Sequence, residues 1–197
     1  NHAELRAELE ELGHAFRTSG DTEVFAAAVE QWGLGALPKM QGMFGAAWTL
    51  GDGVLRIARD RHGEVPLHAF LGRPFTVASE LKALRAMGLD SRGYEWVGPG
   101  QVWEVSERGI RRRRWYLVPS SSFEGDRARA EGLVLSGIKR GSLERTISDV
   151  PVCTLLSGGI DSAVVAAYLV KEVPNLVAYV AVTAVAVGPS LSSRRCR

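Results

Sequence analysis

Cysteine is scarce in this chain: 2 among 197 residues, at positions 153 and 196, alongside only 4 histidines. Two unpaired thiols build no disulfide framework, and no Cys or His spacing matches a zinc site. This usage fits a reducing compartment and predicts a cytoplasmic location. Long apolar runs are missing too. Nothing reaches the roughly 18 residues of a bilayer span; the nearest stretch, Leu176 to Val187, is too short, and no secretory leader pattern opens the sequence. Charge of one sign is also lacking, since 24 Lys and Arg against 22 Asp and Glu leave a formal charge of +2. That balance gives no general reason to expect nucleic acid as a partner. The one basic cluster, Arg111 to Arg114, sits in a strand pattern whose pleat sends alternate side chains to opposite faces, so a solvated sheet edge is expected rather than a binding groove.

What is present suffices for a core: 46% of the residues are apolar, and the length suits one or two domains. A boundary is expected between Ser120 and Arg127, where Pro119-Ser120-Ser121-Ser122 breaks a strand pattern and a charged helical segment runs from Glu124 to near Arg145. Ahead of it, Thr22 to Trp32 reads as a helix closed by Gly33. Met43 to Leu50 and Val54 to Asp60 read as strands joined across Gly51-Asp52-Gly53. Further strands are expected near Leu67 to Phe70, Gln101 to Val105 and Gly109 to Tyr116, with a short helix over Ser79 to Met87.

The stretch richest in chemical meaning follows the boundary. Val152 to Leu156 is apolar or β-branched throughout, the pattern of a strand buried on both faces of a parallel sheet, which would place Cys153 in a core; Ala163 to Leu169 continue as good helix formers. Between them stand Ser157-Gly158-Gly159-Ile160-Asp161-Ser162. The glycine pair leaves no side chain in the way of a ligand, so backbone amides and a helix N-terminus can face an oxyanion, for which phosphate is the natural guest. A Walker loop would end its glycines with Lys and then Ser or Thr, and no lysine stands here, which excludes a P-loop of the kinase or GTPase kind. The same residues also admit an ordinary strand-to-helix turn with Asp161 as N-cap. Amides turned onto neighbouring carbonyls, or glycines lying mid-helix, would remove the anion reading.

Ser157 to Ser162 resembles the pyrophosphate loop of ATP pyrophosphatases, enzymes that cleave ATP between its α and β phosphates. The resemblance implies that Leu156, Ser157, Gly158, Gly159 and Ser162 hold pyrophosphate. Asp161 would face it through a bound Mg²⁺, since a carboxylate beside phosphates needs an intervening cation. Three further motifs, Met40 to Trp48, Arg59 to Leu67 and Ala78 to Leu84, resemble glutamine-dependent asparagine synthetases in the same order and spacing, and Ser148-Asp149-Val150-Pro151 is similar to the approach to the loop in that family. The resemblance runs over roughly residues 1 to 182.

It implies an α/β chain of two parts. Residues 1–120 would be the later part of a glutaminase domain, a partial N-terminal-nucleophile hydrolase αββα sandwich. Residues 121–182 would begin a Rossmann-like ATP-pyrophosphatase domain with its first β-α-β unit, and 183–197 form a divergent tail. The implied function is ligase chemistry in asparagine biosynthesis. Glutamine supplies ammonia, ATP and Mg²⁺ convert aspartate to an acyl-adenylate with loss of pyrophosphate, and ammonia displaces AMP. Two alternatives stay open on the residues alone: a β-lactam-synthetase-like ring-closing relative, and a non-catalytic remnant.

Departures from the family pattern carry expectations of their own. The family's glutaminase opens with a cysteine whose thiol is the nucleophile and whose own amino group is the base. Here Asn1 opens the chain and neither Cys153 nor Cys196 can take that part, so the chain is expected to be an inactive fragment of a longer enzyme, without a catalytic nucleophile and without most of the synthetase domain. Asn1 is not the family's oxyanion-hole asparagine. Asp21, within Thr18 to Val24, resembles the aspartate that binds the α-amino group of glutamine; the residues alone allow it equally to be an N-cap. Asp60, Arg61 and Glu80 are expected to form structural ion pairs and His62 to be a turn residue. By resemblance, Gly63 and Pro66 fix a turn that Arg61 anchors to backbone carbonyls.

Overall fold

Alternation along two paired strands builds the core of the first part of the chain. In β2 (Leu55–Arg59) and β6 (Gln101–Ser106), which run antiparallel, Ile57 faces Trp103 and Ala58 faces Val102. Because the side-chain period of a strand is two, these neighbouring pairs lie on opposite faces of the sheet. Both faces are covered. Ala58 and Val102 join Leu5, Leu9, Val24, Ala28, Val29 and Leu37 in one cluster, while Ile57 and Trp103 join Leu67, Ala69 and Val97 in another.

The first cluster is roofed by helices α1 (His2–Glu11) and α2 (Asp21–Trp32) and by a 3₁₀ turn over Gly33–Lys39. Helix α2 buries Val24 and Ala28 at i, i+4 together with Val29, and it ends at Gly33, whose φ of 56° lies in the left-handed region. Helix α1 was not legible in the sequence. It buries only Leu5 and Leu9 on an otherwise charged helix, too narrow a stripe to stand out.

The covered sheet has the order β1-β2-β6-β7, where β1 is Gly45–Trp48 and β7 is Gly109–Arg114. A second, three-stranded sheet supplies Ala69 to the other cluster, in the order β4-β3-β5: β3 is His68–Phe70, β4 Thr76–Ala78 and β5 Tyr94–Trp96. The short helix α3 (Leu81–Ala86) adjoins β4 and buries Leu84. The outcome is a helix layer, two antiparallel sheets and a further helix. Strands β4 and β5 are new relative to the sequence reading, each only three residues long and bounded by turns.

Arg111 to Arg114 lie on the edge strand β7 and are exposed, as the pleat argument expected. Two of them are nevertheless partnered. Arg112 pairs with Glu95 at 2.7 Å and lies over the Trp103 ring, and Arg113 pairs with Glu104 at 3.0 Å.

The computed structural model describes residues 1–120 and 123–181, and the chain divides into two compact units, Asn1–Ser120 and Ser121–Arg197. The divergent tail at 183–197, with Cys196, lies outside the described residues. In the second unit, α4 (Arg127–Glu144) is N-capped by Asp126, whose carboxylate accepts the Arg129 N–H at 2.8 Å. Strands β8 (Cys153–Leu155) and β9 (Val177–Tyr179) are parallel and are linked through α5 (Ile160–Glu172), which packs on α4.

The strand was expected to be buried on both faces, with Cys153 in a core. Neither holds: Cys153 is exposed and Leu155 is 76% exposed. Among the described residues β8 has one partner strand, and a two-stranded ribbon is too narrow to be sandwiched between layers.

Candidate functional site

Strand β8 delivers the chain into Leu156, whose N–H still donates to Tyr179 O at 2.9 Å, and the path then turns at Ser157 and Gly158. Gly158 has φ +84°, a conformation that costs an L-residue with a Cβ about 1–2 kcal/mol, so glycine is the residue that permits this turn. Gly159 is the N-cap of α5, and the first helical bond runs from Ala163 N–H to Gly159 O at 3.1 Å. The amides of Ile160, Asp161 and Ser162 therefore precede the helical ladder and have no acceptor within α5. They sit at the positive end of the helix, with residues 157–161 exposed.

Two hydroxyls brace the turn. Ser162 Oγ accepts the Ser157 N–H at 3.2 Å, donates to Gly159 O at 3.1 Å and lies 3.0 Å from Ser157 Oγ. Ser157 Oγ in turn receives a long bond, 3.4 Å, from Gly159 N–H. The glycine pair is thus at the helix start, and among the described residues no carbonyl accepts the amides of the first turn. Asp161, weighed as an N-cap, is inside the first turn instead, one residue after Ile160 begins the helix. Chemically the loop offers amide donors, two hydroxyls and one exposed carboxylate, a set suited to an oxyanion with a cation beside it. No group of three or more His, Cys, Asp or Glu side chains that could hold a metal occurs among the described residues, so any cation here would rest on Asp161 together with the ligand's own oxygens.

In the first unit a groove of about 1120 Å³ is lined by residues that include Asn1, Asp21, Phe25, Gln41 and Trp48. Asp21 is the first residue of α2, and Gly20 holds the N-cap position, so the N-cap alternative for Asp21 does not hold. Its carboxylate accepts the Thr22 hydroxyl at 3.3 Å. The loop before it is held by Glu23, whose carboxylate accepts Arg17 N–H at 2.9 Å, Thr18 N–H at 2.8 Å and the Thr18 hydroxyl at 2.7 Å. Those donors bring the Glu23 pKa down to about 2, the Arg17 amide being the largest cause. Sequence reasoning passed over Glu23. The signal available was a glutamate three residues after a helix-capping position.

The segment Arg59 to Leu67 resolves into architecture, with one exchange of roles. Arg61 was expected to anchor the turn, but Arg59 does so: its guanidinium donates to Val65 O at 2.7 Å, to Val97 O at 2.9 Å and to Gly63 O. Arg59, the last residue of β2, is 4% exposed, whereas Arg61, beyond the end of that strand, donates to Pro38 O at 2.6 Å. Asp60 forms no ion pair among the described residues either. Fully buried, it accepts the N–H groups of His62, Glu64 and Val65, each at 3.0 Å, and of Phe44 at 3.4 Å. Burial pushes its carboxyl upward, but these backbone donors outweigh that and hold it below the ordinary value. Gly63 is required by closeness as well as by its φ of +69°, because a Cβ there would come within 2.9 Å of Pro99 and 3.0 Å of Arg59. Glu80 makes the expected surface pair, with Lys82 at 3.9 Å.

Comparison with known proteins meets this geometry at both units. Residues 1–96 match the model of a glutamine amidotransferase domain, and residues 139–190, which contain the glycine loop, match the model of asparagine synthase. By sequence, most of the chain is similar to glutamine-hydrolysing asparagine synthetases. It is 35% identical over 176 residues to the asparagine synthetase of Triphysaria versicolor, covering 87% of this chain and 29% of that protein. It is 30% identical over 198 residues to asparagine synthetase 3 of Bacillus subtilis, covering 85% and 32%. The chain thus spans about 29% of the length of the first of these relatives. Among solved structures, glutamine phosphoribosylpyrophosphate amidotransferase from B. subtilis, complexed with ADP and GMP, is similar with a TM-score of 0.52 at 23% identity, covering 89% of this chain and 43% of that one. At that identity the likeness speaks for the fold alone, an N-terminal-nucleophile hydrolase arrangement, as the family resemblance implied.

Proposed function

We propose that the chain carries parts of both halves of a glutamine-hydrolysing asparagine synthetase: a portion of the glutaminase domain over 1–120 and the opening of the ATP-pyrophosphatase domain over 121–182. In this reading Asp21 receives the α-ammonium of glutamine in the groove beside Phe25 and Trp48. Leu156, Ser157, Gly158, Gly159 and Ser162 cradle the pyrophosphate part of ATP, with Asp161 toward a Mg²⁺ shared with phosphate oxygens. The complete enzyme would activate aspartate as an acyl-adenylate and pass ammonia to it, in the cytoplasm that the unpaired cysteines favour.

One observation carries the reading: the amides of Ile160, Asp161 and Ser162 stand ahead of the first helical bond at an exposed strand-to-helix turn whose glycine pair leaves the approach open. The protein's own residues then do three things. The amides and the helix N-terminus stabilise negative charge as it grows on the departing pyrophosphate, the serine hydroxyls hold the turn in place, and Asp161 would hold a cation, which when bound would supply neutralising charge to the phosphates.

Amide spectra of the ¹⁵N-labelled chain titrated with Mg²⁺ and pyrophosphate test this. Shifts confined to residues 156–163, abolished by Asp161→Asn when Mg²⁺ is present, are expected. Shifts spread over the surface, or unchanged by that substitution, would remove Asp161 and the loop from nucleotide chemistry. Both cysteines, at 153 and 196, lie beyond the first unit. The first unit thus contributes no thiol of its own to attack glutamine, and the purified chain is expected to release no ammonia from it.

A further inference from the structure

Asp21 is an exposed side chain on the first residue of a helix, and a lone carboxylate there would have little to fix its direction. The residues before it are unusually well tied. Gly20, at the N-cap, has no side chain with which to satisfy the helix start, and the third helical residue, Glu23, reaches back past it. One carboxylate oxygen takes the Arg17 N–H and the other takes both the N–H and the hydroxyl of Thr18. The Thr18 hydroxyl oxygen also receives the Gly20 N–H at 3.4 Å, which carries the tie up to the residue that precedes Asp21. From the other side, Arg6 of α1 donates to Thr18 O at 2.5 Å and lies 4.3 Å from the centre of the Phe16 ring.

We infer that Glu23 is a positioning residue that sets Asp21 at the groove through Thr18 and Gly20, so that the site selects ligands bearing an α-ammonium group. The inference rests on the proposal that Asp21 meets glutamine, and it adds the residue through which Asp21 is held. Three donors converge on one carboxylate, leaving only Ser19 and Gly20 between the tied backbone and Asp21. Its lowered pKa, about 2, means that the tie stays charged through the working pH range.

The full 197-residue chain serves for the test, with the Glu23→Gln and Asp21→Asn variants, L-glutamine, and 4-carbamoylbutanoate, which is glutamine without its amino group. Binding is read from amide shifts, and the amides of Arg17 and Thr18 are followed as pH falls. In the unsubstituted chain those two amides should titrate with a midpoint near 2, and in Glu23→Gln that titration should vanish. Glu23→Gln should weaken L-glutamine about tenfold, the scale of losing a charged hydrogen bond, and leave 4-carbamoylbutanoate unchanged, as should Asp21→Asn. Equal loss for both ligands would overturn the positioning role, because a general loosening of the groove does not discriminate by the ammonium group. Full glutamine affinity in Glu23→Gln would overturn it too. Should glutamine bind the unsubstituted chain no better than the deamino compound, the glutamine reading of Asp21 itself falls, a result distinct from either of these.

Discussion

The two units of the chain handle their motifs in opposite ways. In residues 1–120 the family-like segment around Asp60 is sealed inside: its carboxylate accepts local backbone N–H groups and the Arg59 guanidinium donates to backbone carbonyls. In the second unit the glycine loop is exposed, with amide groups that no helical carbonyl accepts. The packing follows suit. Among the described residues, every buried apolar side chain belongs to the first unit except Leu169, while Leu133, Val134, Leu155, Ile160 and Val170 of the second are each at least 57% exposed. A motif whose polar groups close on themselves serves the fold; one whose donors face outward is available to a ligand.

The sharpest way to break this contrast is to cut into each core. Trp103→Ala should destabilise the first unit by about 4 kcal/mol, within the range for emptying a fully buried aromatic site. It should leave amide shifts of residues 153–169 unmoved, and denaturant unfolding monitored by NMR would show both. Next comes Asp60→Ala, expected to cost about 3 kcal/mol, because a buried carboxylate that accepts several backbone N–H groups is lost. The pH dependence has a definite sign. The folded carboxyl titrates below its unfolded value of about 3.9, so the unfolded state binds the proton more readily. This contribution is complete above about pH 4 and disappears as pH falls through the folded value; in Asp60→Asn that acid-side loss should be absent.

In the second unit, Leu169→Ala should cost about 2 kcal/mol, the low end for such truncations, since a thin layer collapses onto the space more easily. A cost equal to that of Trp103→Ala would erase the contrast. Smallest is Gly158→Ala, about 1 kcal/mol from its positive φ. A Cβ there meets nothing within 4 Å, so strain alone acts, and thermal unfolding should register it together with weaker pyrophosphate binding. A stabilised or unchanged protein would show that the turn does not need glycine.

Legibility followed the strength of local patterning. Helix α2 was plain because Val24, Phe25, Ala28 and Val29 repeat at helical spacing before Gly33. Strands β2 and β6 and the glycine turn at 51–53 were plain by alternation and turn chemistry. Helix α1 was missed because two leucines make a faint stripe, and β4 and β5 because three residues carry no usable period. At the sites, residue types marked the glycine loop and Asp21, but neither Glu23 nor Arg59. Their roles depend on carbonyls and amides that come near only when the chain is folded.

What the sequence determined by itself was chemistry tied to neighbours along the chain: a turn that only glycine suits, a helix that starts where the glycines end, the absence of a lysine that would make the loop a Walker loop. What only the tertiary structure decided was which polar groups are closed off and which remain open. Packing buried the Arg59 guanidinium among backbone carbonyls, burial made Asp60 a backbone acceptor, and a two-stranded ribbon left Cys153 exposed where its apolar neighbours had suggested a core. Period and residue type are local properties. Burial and hydrogen-bond closure are set by partners distant in sequence, such as Val97 O for Arg59 and Phe44 N–H for Asp60.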